Sequence, residues 1–360
     1  MKIQAADETY MRVCGRTLIA DGIRYMNWSG AYLEFEFTGR RVNAELLSRG
    51  FADCEDLQAW VGVYLDGSDE AYRRFKLEPD TRKEYILYES EQPEHHILRF
   101  VKMSEAAFAK LGVCEISVDC TAEGTPKPTD APARRIAFIG DSITCGYGNE
   151  GIADVDVFKT SQENPVKAYS VQTARCLDAD YILTSWSGIG ILSAWVEETV
   201  NEPLNDWLMP KIYPYTDAAI QNDFGLPEID WEVWDTSRFV PDVIVINLGT
   251  NDRSYTRFIP ERTAAFRELY YRFLTVVRDK NPASEIVCTL GIMEDELCPV
   301  VRDAVEQFAL DRQDTKISYM NLEKQDPADG MGADYHPSMI THQKMTEKLS
   351  AYIAGRMNWK

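Results

Sequence analysis

The chain has 360 residues, which is long enough for two domains, and 45% of them are hydrophobic, so sizeable cores can form. The formal net charge of −20 repels nucleic-acid phosphates and anionic membrane surfaces, which argues against both as partners. A neutral ligand such as a sugar would not be repelled, and no apolar run is long enough to span a bilayer.

Two features bear on the cellular compartment. The N-terminal stretch MKIQAADETYMRV lacks the apolar core of a secretory signal, which predicts a cytoplasmic protein, or a secreted one whose signal has been removed. The eight cysteines are scattered without a C-x-x-C pair, which argues against a structural zinc site. Scattered thiols suit a reducing compartment, although the sequence alone leaves a disulfide open.

The first third of the chain has the pattern of short strands separated by turns. The stretches that alternate, or that carry β-branched and aromatic residues, are LEFEF (33–37), RVNAELL (41–47), WVGVYLDG (60–67), KEYILYES (83–90) and CEISVDC (114–120). Their spacing predicts an all-β sandwich of jelly-roll type over residues 1–122. The stretch FAKLGVC (108–114) is interpreted as a short helical turn.

Residues 123–133 are rich in Pro, Thr, Ala and Gly, which predicts a linker, and the sequence pattern changes after them. Beyond it, strands are predicted at 135–140, 181–187, 243–249 and 285–292, and helices at 168–177, 261–280, 296–310 and 342–357. Strands that alternate with helices predict a doubly wound α/β domain over residues 134–360. In such domains the chemistry gathers at the C-terminal ends of the parallel strands.

Three of these strand ends carry glycines with hydroxyl, amide or carboxyl side chains. They are Gly140-Asp141-Ser142, the turn Ser185-Trp186-Ser187-Gly188-Ile189-Gly190, and Gly249-Thr250-Asn251-Asp252. Parallel strands should bring all three to one edge of the sheet. Ser142 alone could be only a turn residue, because a serine nucleophile needs a base beside it.

His336 is the best candidate for that base, since it stands in a loop, D-Y-H-P-S, just before the last helix. The alternative is a hydrogen-bonded loop histidine without catalytic work. His95 and His96 are predicted at a surface turn of the strand-rich part, and His342 as a solvated helix residue. Asp334 could fix the tautomer of the imidazole, or it could be a loop aspartate that bonds its own backbone.

An oxyanion needs hydrogen-bond donors that are fixed in advance. The backbone N–H groups of Ser142 and Gly188 and the side-chain amide of Asn251 are the candidates. The alternative for Asn251 is an asparagine that caps the turn after its strand. Each alternative is plausible singly. Together, Ser142, Gly188, Asn251 and His336 in this order on this fold favour a hydrolase.

These motifs resemble those of the SGNH (GDSL-type) hydrolases, over residues 134–360. The resemblance implies a flavodoxin-like doubly wound sheet, Ser142 as nucleophile and His336 as base. It also implies an oxyanion hole formed by Ser142, Gly188 and Asn251. Many members place the acid three residues before the histidine, where this chain has Ala333, whereas Asp334 lies one residue later.

That shorter spacing is similar to carbohydrate esterase family 2, the acetyl (xylan) esterases. G-D-S-I-T-x-G-Y-G-N, S-W-S-G-x-G, the aromatic-His-Pro-Ser loop and the preceding β-sandwich domain all resemble that family. The resemblance implies a catalytic triad with Asp334, or a dyad whose histidine contacts only a backbone carbonyl. It also implies that neither a metal nor an organic cofactor is needed.

Acetylated oligo- or polysaccharides, such as xylo- and glucomanno-oligosaccharides, are the substrates that the resemblance implies. Sugar faces stack on aromatic rings, and Trp186, Tyr213, Trp231 and Tyr335 lie in or near candidate loops, although ordinary packing is the alternative for each. The long, aromatic, proline-rich segment 200–241 is expected to wall the substrate cleft.

Two other functions stay open on sequence grounds. One is a lipid or thioester esterase on the same scaffold, and the other is a carbohydrate-binding protein with vestigial catalytic residues. The aromatic and polar loops favour sugar over an acyl chain, and the intact Ser, Gly, Asn and His set favours catalysis. Oligomerisation is left open.

Overall fold

Two compact units make up the chain in the computed structural model, which describes residues 1–51 and 53–360. The first unit contains Met1–Ala131, Phe158–Val166 and Thr216–Glu232. The second contains Pro132–Val157, Lys167–Tyr215 and Val233–Lys360. The sequence-based boundary at 123–133 was drawn from composition, and composition carries no sign of later segments that pack with an earlier unit.

The N-terminal part of the first unit, Met1–Ala131, is an antiparallel all-β structure, as predicted. Its strands are β1 (Lys2–Gln4), β2 (Arg12–Cys14), β3 (Leu18–Ala20), β4 (Ile23–Tyr25), β5 (Tyr32–Arg49), β6 (Trp60–Leu65), β7 (Arg73–Lys76), β8 (Arg82–Lys102), β9 (Lys110–Cys120) and β10 (Lys127–Pro128). They are ordered β3-β4-β9-β5-β8-β6-β7, with β1 on β9 and with β2 and β10 on β5. The jelly-roll arrangement itself stays a prediction.

Two sequence-based assignments in this unit need correction. The stretches 33–37 and 41–47 are one strand, β5, which continues across a register shift between Gly39 and Arg41. The helical turn expected at 108–114 is wrong, because β9 begins at Lys110 and pairs with β5 from Arg49 onward. Pairing with a long neighbouring strand satisfies the backbone there and overrides the local pattern.

Buried hydrogen bonds account for the two later segments of the first unit. The Thr160 hydroxyl donates to the backbone oxygen of Gln58 at 2.8 Å. The indole N–H of Trp28, 1% exposed, donates to the backbone oxygen of Thr216 at 3.0 Å. Each segment thus pairs with polar groups that would otherwise be buried without partners.

The second unit is built on a five-stranded parallel sheet, so the predicted doubly wound α/β architecture is confirmed. Its strands are β11 (Arg134–Gly140), β12 (Ala179–Ser185), β13 (Val243–Asn247), β14 (Glu285–Leu290) and β15 (Ile317–Asn321), in the order β12-β11-β13-β14-β15. The α-helices of the chain are α1 (Ser142–Cys145), α2 (Tyr169–Cys176), α3 (Met209–Ile212), α4 (Ala218–Asp223, in the first unit), α5 (Arg253–Thr256), α6 (Pro260–Lys280), α7 (Cys298–Arg312) and α8 (Met339–Met357).

The strand order determines which loops meet. β11 lies between β12 and β13, and every residue of β12 and β13 is buried, as the apolar runs predicted. The three glycine-containing turns that follow these strands therefore emerge side by side. Sheet order reverses direction around β11, and such switch points are where open α/β sheets bind ligands.

Two further observations concern the chain as a whole. Among the described residues, no helix combines the length and apolar character needed to cross a bilayer. None of the eight cysteines, all of which are described, forms a disulfide.

Candidate active site

The turn around Ser142 is fixed by its own neighbours in sequence. β11 ends at Gly140 and α1 begins at Ser142, with Asp141 as N-cap accepting from the Ile143 N–H at 3.0 Å. A side chain at Gly140 would collide with the Thr144 hydroxyl, so only glycine fits there. Ser142 is 5% exposed, and its N–H is among the helix-start donors that have no partner within the helix.

His336 lies directly beside this serine. Its Nε2 is 2.8 Å from the Ser142 Oγ, although 194 residues separate them. Its Nδ1 is 3.2 Å from the backbone oxygen of Asp334, an acceptor, so we assign the proton to Nδ1. Burial lowers the pKa of His336 to about 4, which leaves the ring neutral at pH 7 with Nε2 ready to accept the serine proton.

Asp334 meets the imidazole through its backbone and not through its side chain. Its carboxylate accepts a hydrogen bond from the Tyr147 hydroxyl at 2.8 Å. The structure therefore does not place this carboxylate on the imidazole of His336. It matches the alternative in which His336 contacts a backbone carbonyl. The residue has φ 49° and ψ 37°, a left-handed conformation that turns its carbonyl toward the ring.

Gly188 and Asn251 come together beside the serine turn. Gly188 has φ +76°, and the Trp186 N–H in the same turn donates to the backbone oxygen of Gly140 at 3.3 Å. The Asn251 amide donates one hydrogen to the backbone oxygen of Ile189 at 2.8 Å. An amide nitrogen carries two hydrogens, so a second one is left for an oxyanion.

Asp252 is a site residue that the sequence analysis missed. Its carboxylate is fully buried and accepts the backbone N–H groups of Ile191, Leu192 and Ser193 at 2.6–3.0 Å. A Cβ at Gly190 would lie 2.8 Å from both carboxylate oxygens, so glycine lets the turn approach. Burial raises the pKa of Asp252 to about 6. Its position directly after Asn251 was the available signal.

Comparison with known proteins assigns the family. Residues 13–128 match the model described as carbohydrate esterase 2 N-terminal, and residues 138–344 match the GDSL-like lipase/acylhydrolase family. The chain belongs to carbohydrate esterase family 2, within the GDSL-like hydrolases. It is therefore an ester hydrolase.

Three relatives show the extent of the similarity. An acetylxylan esterase/glucomannan deacetylase from Cellvibrio japonicus is 34% identical over 82% of this chain and 84% of its own length. The cellulase/esterase CelE of Acetivibrio thermocellus is 32% identical over 92% of this chain, which spans only 38% of CelE. A family two carbohydrate esterase from Clostridium thermocellum, solved with cellohexaose, superposes with a TM-score of 0.82 at 29% identity, covering 97% of this chain and 100% of that one.

The four aromatic candidates of this esterase divide into buried and accessible rings. Tyr213 is 4% exposed, and its hydroxyl accepts from the Asn281 amide at 3.1 Å. Trp231, 6% exposed, belongs to the first unit and donates to the backbone oxygen of Leu226. Both rings are thus packed in the interior, as the alternative interpretation expects, and a role of either in binding substrate stays a prediction.

The other two candidates keep accessible surface. Trp186 is half-buried and packs on Trp207 with ring centroids 5.4 Å apart. Tyr335 is 52% exposed, and its hydroxyl bonds the Asp154 carboxylate. Trp195, which the sequence analysis did not name, is also 52% exposed, and its backbone N–H donates to the backbone oxygen of Gly188 at 2.8 Å.

The segment 200–241 is divided between the two units, since 216–232 belongs to the first. Its expected role as a wall of the substrate cleft stays a prediction.

The remaining histidines take no direct part in this site. The prediction that His342 is solvated is wrong, because it is 1% exposed and its Nδ1 accepts the Tyr169 N–H at 3.1 Å. His95 and His96 lie within β8 and not at a turn. His96 Nδ1 is 2.7 Å from an Asp66 carboxylate oxygen.

Proposed function

We propose that this protein is a serine esterase that removes O-acetyl groups from acetylated hemicellulose sugars. The observation that carries the proposal is the 2.8 Å contact between Ser142 Oγ and His336 Nε2 at a switch point of the sheet. Family membership supports ester hydrolysis, and the names of the relatives point to acetylated xylan and glucomannan.

In the first half of the proposed mechanism, His336 Nε2 takes the Ser142 proton as Oγ attacks the acetyl carbonyl. The carbonyl oxygen becomes an oxyanion, which the N–H groups of Ser142 and Gly188 and the Asn251 amide stabilise. The imidazolium then gives its proton to the departing sugar oxygen, and an acetyl-serine remains.

In the second half, His336 takes a proton from water, which attacks the acetyl-serine through a second oxyanion. Collapse of that intermediate returns the proton to Ser142 and releases acetate. All proton transfers pass through one nitrogen, because the Nδ1 proton is bonded to the backbone oxygen of Asp334. No step in this scheme calls on a metal or an organic cofactor.

The sugar is proposed to stack on accessible rings near the nucleophile. Tyr335 is the residue before His336, and Trp195 bonds the Gly188 turn, so both are placed on loops of the reacting residues. Stacking of sugar C–H faces on rings suits a neutral substrate, and the net charge of −20 does not oppose one. A cytoplasmic enzyme would act on short imported oligosaccharides, whereas a secreted one could act on the polymer.

The test is acetate release from acetylated xylo- and manno-oligosaccharides by the wild type and Ser142→Ala. We expect release by the wild type and loss on the order of 10⁵–10⁶ in kcat for the variant, as for a serine nucleophile elsewhere. Equal release by both proteins would remove Ser142 from the mechanism.

The same assay separates the alternatives. If neither protein releases acetate, the next substrates are longer-chain lipid esters and thioesters, which would establish the other esterase. If these also fail while the wild type still binds the oligosaccharides, the binding-protein alternative replaces the proposal.

A further inference from the structure

Tyr147 lies in the G-Y-G-N stretch after the nucleophile, and the proposed mechanism gives it no role. Its ring packs against His336 with centroids 4.4 Å apart and planes 39° from parallel. Its hydroxyl donates to the Asp334 Oδ2 at 2.8 Å. One side chain thus contacts both the imidazole and the carboxylate that the sequence offered as its partner.

The loop that carries the base has an unusual backbone. Asp334 and Tyr335 both have left-handed φ angles, 49° and 59°, which residues other than glycine rarely adopt. Such conformations persist where surrounding contacts hold them. Two of these contacts reach the stretch after the nucleophile: the Ala333 N–H donates to the backbone oxygen of Gly148 at 2.9 Å, and Asp154 accepts from the Tyr335 hydroxyl. A third comes from the Gln325 amide, which donates to the backbone oxygen of Tyr335 at 2.9 Å.

Asp334 has two kinds of oxygen that could accept a hydrogen bond from His336 Nδ1, its backbone carbonyl oxygen and its carboxylate oxygens. The backbone oxygen of Asp334 faces His336 Nδ1 at 3.2 Å, while one carboxylate oxygen is bonded to Tyr147. A carboxylate that accepts from the Nδ1–H group would stabilise the imidazolium far more than a backbone carbonyl does, because it carries a full negative charge. The basicity of His336 therefore depends on where the Asp334 carboxylate is held.

We propose that Tyr147 is a positioning residue that holds the Asp334 carboxylate away from His336, so that the imidazole works with a backbone carbonyl as its partner. The inference rests on the proposed function in taking His336 as the general base. It assigns to Tyr147 the selection between a Ser-His dyad and a Ser-His-Asp triad.

Three groups around the imidazole bear on its titration. Asp334 raises the pKa of His336 through its backbone bond and its charge, but burial outweighs both. The buried His342 on α8 is electrostatically coupled to His336, and burial lowers the pKa of His342 to about 3, so it stays uncharged near neutrality. Tyr147 contributes its ring face and the bond to Asp334.

The experiment measures the pKa of His336 directly, by NMR titration of ¹³C-labelled histidine in the full chain. His336→Gln assigns the signal among the four histidines. The variants are Tyr147→Phe, Asp334→Asn and their combination, since phenylalanine keeps the ring and removes only the hydroxyl.

We expect Tyr147→Phe to raise the pKa of His336, on the order of one pH unit, because the released carboxylate can approach Nδ1. Asp334→Asn in the same background should cancel that rise, whereas Asp334→Asn alone should leave the pKa near or below the wild-type value. In the control Tyr271→Phe, which removes a tyrosine–aspartate bond to Asp311 on α7, the value should not change.

An unchanged or lowered pKa in Tyr147→Phe overturns the proposal, and so does a rise that persists when Asp334 is also asparagine. The titration needs no substrate, so it separates this inference from the proposed function, which fails if the wild type releases no acetate or if the release does not depend on Ser142. If Tyr147→Phe does not fold, kcat of Asp334→Asn decides, because a loss near 10⁴ would mean that the carboxylate already acts on the histidine.

Discussion

The nucleophile and its base are held in place by opposite means. The turn around Ser142 is buried and locally determined. Asp141, Thr144 and Cys145 are all at 0% exposure, and the Asp141 side chain caps the helix by accepting from the N–H two residues later. The loop around His336 has an exposed Asp334 and Tyr335 in left-handed conformations, and their side chains bond residues 187 and 181 positions away in the chain. A short motif can specify the first arrangement, but the second depends on the folded chain.

The largest expected effect is the loss of kcat when the base is removed. It tests whether His336, whose loop depends on distant contacts, contributes as much to catalysis as Ser142, whose turn is locally determined. His336→Ala should lower kcat on acetylated xylo-oligosaccharides by an amount on the order of 10⁵–10⁶, similar to Ser142→Ala, because the two act as a unit. His95→Ala, an exposed histidine in β8, is the matched control and should match the wild type. A His336→Ala loss of only tenfold would mean that another group serves as base.

A third loop sharpens the comparison, because Asn251 is positioned by one short bond to Ile189. Asn251→Ala should lower kcat about 10²- to 10³-fold with little change in KM, the usual result of removing one oxyanion donor. Asn222→Ala, on an exposed face of α4, provides the control. An unchanged kcat would remove Asn251 from the oxyanion hole.

Asp252 tests how far the oxyanion turn depends on a buried charge. The Oδ1 of Asp252 accepts all three backbone N–H groups, and its Oδ2 also accepts that of Ile191. Asp252→Asn removes the charge and sets an NH2 donor against at least one of these N–H groups. The turn should shift, and kcat should fall about 10- to 10²-fold, because small misplacements of catalytic groups have effects of that size. The assay is again kcat against KM, and activity equal to wild type would show that the turn holds itself.

Most of the second unit could be predicted from sequence because its strands are buried on both faces. The apolar runs of β11, β13 and β14 indicated buried strands, and their alternation with helices indicated a doubly wound sheet. β15 was missed, because Ile317–Asn321 is an edge strand, half-exposed and partly polar, without a continuous apolar run. His342 was misjudged because the packing that buries it comes from another helix, α2.

In the candidate site, the catalytic and oxyanion candidates were predictable, but Asp252 and the orientations of the side chains were not. Ser142, His336, Gly188 and Asn251 follow strand ends or precede a helix, and strand order brings them together. The direction of the Asp334 side chain depends on Tyr147, and no spacing in the sequence encodes that pairing.

The smallest expected effect is also the most direct test of the central claim, that His336 is oriented by a backbone carbonyl. The measurement is kcat of Asp334→Asn on acetylated xylo-oligosaccharides. Asparagine tolerates the left-handed backbone and can still accept from Tyr147, so only the charge is removed. We predict kcat within about tenfold of wild type, whereas a loss near 10⁴ would show that the carboxylate itself completes a triad and would contradict the account.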